Sequence, residues 1–160
     1  MARSIALAAA LAVMVACGPI FGIGASFSLS NARVDATYKC PYPADNLPYI
    51  VNASIDANNT TGSSVQIKSI AETWTNVAIH GNWTGVKGDH GTNDVPGFKP
   101  KSVGAGAKAT IKFAIPFQCT NAGAGGDTYG DFSFKFAIKT GSGDYTISAG
   151  NQHRLTFAGP

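Results

Sequence analysis

The sequence predicts an all-β chain, a two-sheet antiparallel sandwich of about seven or eight strands. Three observations carry this. Strong helix formers are scarce: with the apolar first 25 residues set aside, the only leucines are Leu29, Leu47 and Leu155, no Met remains, and Glu72 is the sole glutamate. Thr, Val, Ile and Phe, which suit a pleated and half-buried surface, dominate instead. Several stretches alternate apolar with polar residues at a period of two, as a strand does when one face meets a core.

The elements follow in order. Residues 27–38 hold a first strand, broken near Asn31. Residues 49–56 alternate with Tyr49, Val51, Ala53 and Ile55 inward, and residues 58–63 are a turn cluster of Asn, Thr, Gly and Ser. Val65, Ile67 and Ser69 then alternate against Gln66 and Lys68, so these two stretches are expected to pair as a hairpin with a long turn. Residues 73–79 place Thr75, Val77 and Ile79 on one face. Residues 81–101 read as a long loop. The next strand, 109–119, puts Phe113, Ile115, Phe117 and Cys119 inward, and Pro116, which lacks an N–H, marks an edge or a bulge. Residues 120–130 are a Gly-rich loop. Residues 132–139 alternate most strictly, with Phe132, Phe134, Phe136 and Ile138 on the core face. Short strands at 144–148 and 154–157 complete the set.

The N-terminus points outward from the cytoplasm. Arg3 is followed by 29 residues, 4–32, without a charge or a histidine, and the apolar run spans residues 5–23. Three readings stay open. A signal peptide would end near Gly24-Ala25, leaving residues 26–160 as a single β-sandwich domain. A retained anchor needs about 20 apolar residues and would give membrane association through residues 5–23. Val13-Met14-Val15-Ala16-Cys17 resembles the lipobox of bacterial lipoproteins, which implies lipidation at Cys17. All three place the body outside the cytoplasm, secreted or at the cell surface, with Arg3 on the inside.

Beyond Cys17 the chain has two cysteines, Cys40 and Cys119, and in an oxidising compartment a disulfide between them is expected. Two exported sheets tied by one long-range disulfide resemble an immunoglobulin-like sandwich. The likeness is architectural: the first Trp after Cys40 is Trp74, and Phe117 stands two residues before Cys119 where an immunoglobulin domain has Tyr.

Charge and motif content narrow the function classes. Twelve basic and nine acidic residues give +3, with no basic run beyond Lys99-Pro100-Lys101, so a nucleic-acid partner is not expected. Gly-x-Ser-x-Gly, His-Glu-x-x-His and the phosphate-binding Gly-x-x-x-x-Gly-Lys are all missing, so neither an enzyme nor a cofactor is expected. His80 and His90 bracket an aromatic, Gly-rich stretch containing Asp89 and Asp94, a loose imidazole–carboxylate set without metal-ligand spacing. Trp74 and Trp83 are recognition candidates, and Trp83 stands within the 81–101 loop, where alternation does not demand burial. The leading expectation is a structural or interaction role with a protein or glycan partner at the cell surface. The alternative is a module binding carbohydrate or an apolar ligand through the 81–101 loop, with Trp83, His80 and His90 as its residues. A small metal-dependent enzyme at His80 and His90 comes third.

Overall fold

A computed structural model describes residues 24–43, 46–83, 85–119 and 127–157. The leader and Cys17 lie outside the described residues. Those described form ten strands and no helix: β1 (Phe27–Val34), β2 (Thr37–Cys40), β3 (Pro48–Asn59), β4 (Val65–His80), β5 (His90–Asp94), β6 (Lys101–Val103), β7 (Lys108–Gln118), β8 (Tyr129–Thr140), β9 (Asp144–Ser148) and β10 (His153–Phe157).

The strands make two sheets. One has the order β1-β3-β7, all antiparallel. The other has the order β2-β10-β8-β4-β5, with β6 also on β4 and β9 also on β8. β2 runs parallel to β10, and the remaining pairs of that sheet are antiparallel. The strict alternation of β3, β7 and β8 is seen directly: Val51, Ala53 and Ile55, Ile111, Phe113 and Ile115, and Phe132, Phe134, Phe136 and Ile138 are all buried. Phe113 of the small sheet meets Phe136 of the large one edge to face at 5.2 Å, and Phe117 meets Phe134 at 5.8 Å. Each such ring taken from water contributes roughly 1.5–3 kcal/mol, so these inner faces are the main source of cohesion between the sheets.

Polar groups also cross between the sheets. His153 is fully buried; its Nδ1–H donates to the Asp35 carbonyl at 2.7 Å, and its Nε2 accepts from the Tyr49 hydroxyl at 2.9 Å. Burial disfavours the imidazolium and lowers the pKa of His153 below its ordinary value, although the Asp35 carbonyl works the other way. The Cys40–Cys119 disulfide joins the end of β2, in the large sheet, to the residue just after β7.

Four expectations change. The sheets are not antiparallel throughout, because β2 lies parallel to β10, a pairing that the long stretch of chain between the two strands permits. The hairpin between residues 49–56 and 65–69 does not form, because β3 lies between β1 and β7 while β4 belongs to the other sheet. The connection crosses between sheets, and Asn59 fastens it by donating its side-chain amide to the carbonyls of Ser63, Val103 and Gly104. The 81–101 segment holds the strand β5 and the first residue of β6; with residues 27–38 divided between β1 and β2, and 65–69 and 73–79 merged into the one strand β4, the eight expected strands become ten. Finally, Thr75, Val77 and Ile79 are not the inner face of β4. A register shift between Ile67 and Ser69 turns Ile70, Glu72 and Asn76 into the buried positions, and Ile79 is exposed.

Candidate binding cleft

The turn of β4 creates the feature with the most chemistry. β7 is the edge of the small sheet, and β5 is an edge of the large one. Where these edges face each other, a cleft of about 560 Å³ enters between the sheets. Trp74, Phe117, Phe132 and Ile115 form its apolar wall. The Trp74 indole stands edge to face with Phe117 and with Phe132, each at 5.9 Å. The indole holds this place because its cross-strand partner is Gly91: a Cβ there would fall 2.8 Å from the Trp74 Nε1. A glycine is therefore required opposite this indole.

Glu72 lies on the inner side of the cleft and is only 2% exposed. Its cross-strand partner Asn93 donates from Nδ2 to Oε1 at 2.7 Å, while Oε2 has no hydrogen-bond partner among the described residues. Burial raises the carboxyl pKa above its ordinary value, and the Asn93 hydrogen bond only partly offsets this. The folded chain thus holds the Glu72 proton more tightly than the unfolded chain does. The carboxyl contributes most to stability below its ordinary pKa of 4.5, and that contribution is lost as pH rises through the higher folded value. Glu72→Gln is expected to be more stable than the parent at pH 7, with the difference shrinking as pH falls towards 4.5. Denaturant melts of both proteins at several pH values check this; a variant destabilised equally at every pH contradicts it.

Of the site residues read from the sequence, Trp74 and Asp94 line the cleft, while Trp83, His80 and His90 lie elsewhere, apart from each other. Trp83 is 9% exposed and packs against Phe157 at 5.3 Å and Phe132 at 6.3 Å. Its indole lies against Gly130, where an added Cβ would come within 2.8 Å of it. Trp83 therefore serves the core and presents little surface to a ligand. His80 is exposed, donates from Nε2 to Asp127 at 3.2 Å, and stacks on Tyr129 at 5.0 Å. His90 is exposed and donates from Nδ1 to the Gly88 carbonyl at 3.1 Å. Its cross-strand partner is Thr75, five positions along β4 from His80, which at the rise of a strand is roughly 16 Å. The structure does not bring the two imidazoles together, and among the described residues no group of three or more His, Cys, Asp or Glu side chains could hold a metal ion.

Part of the 81–101 segment does reach the cleft. Asn93, Asp94, Val95 and Pro96 line it. Sequence reading missed Glu72 as a site residue. The available signal was the only glutamate of the chain, two positions before a Trp in a strand.

No protein-family model matches the chain, and no curated protein matches it. Among solved structures, a structural-genomics target determined by X-ray crystallography is 9% identical, with a TM-score of 0.44 over 82% of this chain and 86% of that one. The alkylpurine DNA glycosylase AlkC of Pseudomonas fluorescens, bound to DNA containing an abasic-site analogue, is 13% identical, with a TM-score of 0.41 over 86% of this chain and 32% of that one. The ApaA protein of Bordetella pertussis is 11% identical, with a TM-score of 0.36 over 82% of this chain and 92% of that one. Likenesses of this degree carry no argument about activity.

Proposed function

We propose that this chain is an exported, non-catalytic binding domain that takes a small ligand with an apolar body into the cleft between β5 and β7. The observation that carries the reading is the cleft itself. It joins an aromatic wall, Trp74 with Phe117, to one buried polar group, Glu72, and this is the make-up of a small-molecule site. Its volume of about 560 Å³ suits a compact ligand or a single side chain. The contribution of residues 93–96 supports the view that the 81–101 segment carries recognition, through its strand β5 instead of Trp83. The carbohydrate form of the reading is less favoured, because an indole turned edge-on to Phe117 and Phe132 inside the sandwich offers no open platform for a sugar ring.

A fragment screen read by the indole N–H resonance of Trp74 tests the proposal. Saturable shifts of that resonance are expected with compact aromatic or aliphatic fragments, and binding of the same fragments, read from the ligand's own signals, is expected to be lost in Trp74→Ala. Fragments that shift residues elsewhere and leave the cleft unmoved would refute it.

Export and the immunoglobulin-like architecture belong to the same proposal. Export is supported by the uncharged run of residues 4–32 after Arg3 and by the disulfide, which suits an oxidising compartment. The immunoglobulin-like reading is supported by two sheets tied by that bond. The mass of the mature N-terminus separates cleavage near Ala25, lipidation at Cys17 and a retained anchor. An intact chain recovered from the cytoplasm with both body thiols free would count against all three.

A further inference from the structure

We infer that the ligand of the cleft is an organic cation: an ammonium group on a short apolar stem, with the Glu72 carboxylate as its counter-charge and the Trp74 indole as its wall. This rests on the reading of the cleft as a binding site and adds the chemical class. Glu72 carries an oxygen, Oε2, that is buried and has no partner among the described residues. A carboxylate in that position is stable only when protonated or when a positive charge comes beside it. An ammonium group supplies both the charge and the hydrogen-bond donor.

The surroundings favour a cation over the alternatives. The charged residues lining the cleft are Glu72 and Asp94, both acidic, although basic residues outnumber acidic ones twelve to nine in the chain. An anion would meet the Glu72 carboxylate and no Lys, Arg or His among the described lining residues. The Asn93 amide is already directed at Glu72 Oε1, where it fixes the carboxylate plane against β5. The Trp74 indole, two positions along β4 from Glu72, adds an apolar wall beside the carboxylate against which the stem of a cation can pack. The stem of the ligand would lie along Ile115 and Phe117 of β7.

The ammonium can come from a free amine or from a lysine side chain of a partner, and one titration series separates the two. Phenethylammonium, the neutral 2-phenylethanol, the anionic 3-phenylpropionate and Nα-acetyl-lysine amide, whose side-chain ammonium is free, are titrated into the intact protein at neutral pH, read by the indole N–H shift of Trp74. The phenethylammonium ion is expected to bind at least about tenfold more tightly than the alcohol, and the carboxylate most weakly. Tighter binding of the lysine derivative than of phenethylammonium would support a partner's lysine as the source; the reverse order would support a free amine. In Glu72→Gln the preference for the ammonium over the alcohol is expected to fall to about twofold or less, since the counter-charge is gone and the shape is kept. An alcohol that binds as well as the ammonium overturns the inference while leaving the cleft a binding site. No saturable binding by any of the four overturns the cleft reading itself. If Glu72→Gln does not fold, the comparison of the four compounds on the unaltered protein still decides.

Discussion

Phe134→Ala is expected to leave the protein unfolded or nearly so, while Lys135→Ala is almost silent. The two residues are neighbours on β8, the strand flanked by β4, β9 and β10, and they share one backbone environment. Phe134 is 1% exposed; its ring approaches Phe117 of the opposite sheet at 5.8 Å and His153 at 6.4 Å. Truncation removes the ring from the contact between the sheets and leaves a void beside a buried imidazole. Such a change costs roughly 3–5 kcal/mol, which approaches the whole stability of a modest domain. Lys135 is exposed, and a surface change of this kind stays within roughly 0.5 kcal/mol. Phe136→Ala is expected to match Phe134→Ala, because Phe136 is fully buried against Phe113. Denaturant melts of the three variants decide it. Equal losses at positions 134 and 135 would be incompatible with this strand and this core.

Reduction of Cys40–Cys119 is the second large effect. The bond spans 79 residues, and chain entropy alone assigns such a loop roughly 4–5 kcal/mol, an upper figure because residual structure in the unfolded chain reduces it. The position of the bond adds to the effect. β2 lies at the edge of its sheet, is four residues long and is paired with β10 alone, so it has few other ties. Urea melts with and without reductant should show a large drop in midpoint, matched by Cys40→Ala/Cys119→Ala under oxidising conditions. Both cysteines are fully buried, so alanine is the less disruptive replacement. An unchanged midpoint would refute the assignment of this stability to the bond.

Much of this fold is legible in the sequence where strands keep strict alternation. Residues 49–56, 109–119 and 132–139 present their apolar side chains as their spacing requires, and Pro116 falls on an edge strand as its missing N–H requires. The failures have local causes. β4 contains register shifts at Ile67/Ser69 and at Asn76/Ala78, and one extra residue reverses every side chain beyond it. Alternation counted through such a shift assigns Thr75, Val77 and Ile79 to the core in place of Glu72 and Asn76. β5 reads His-Gly-Thr-Asn-Asp, a turn composition with little strand propensity. It pairs because Trp74 occupies the space above Gly91 and because Asn93 answers Glu72, contacts that exist only in the assembled sheet. The cleft combines both failures, a shifted strand facing an unrecognised one. This is why Trp74 stood out in the sequence as a recognition candidate while Glu72 did not.

The free edge of β7 has a consequence for how copies of this chain behave in crowded solution. The odd-numbered residues of β7 face the core, and the backbone N–H of Cys119 continues the pairing toward β3 by donating to the Leu47 carbonyl. The even-numbered residues therefore turn their backbone groups to the open side. There Pro116 has no hydrogen to donate, and the Lys112 carbonyl already accepts from the Lys101 ammonium at 3.3 Å. Lys108 and Lys112 add two positive charges to the same edge. A second copy aligning its own edge would meet a missing donor, an occupied acceptor and like charges within nine residues of chain. Stacking into fibrils along β7 is thereby discouraged at its first step, although the fold consists of strands throughout its described length.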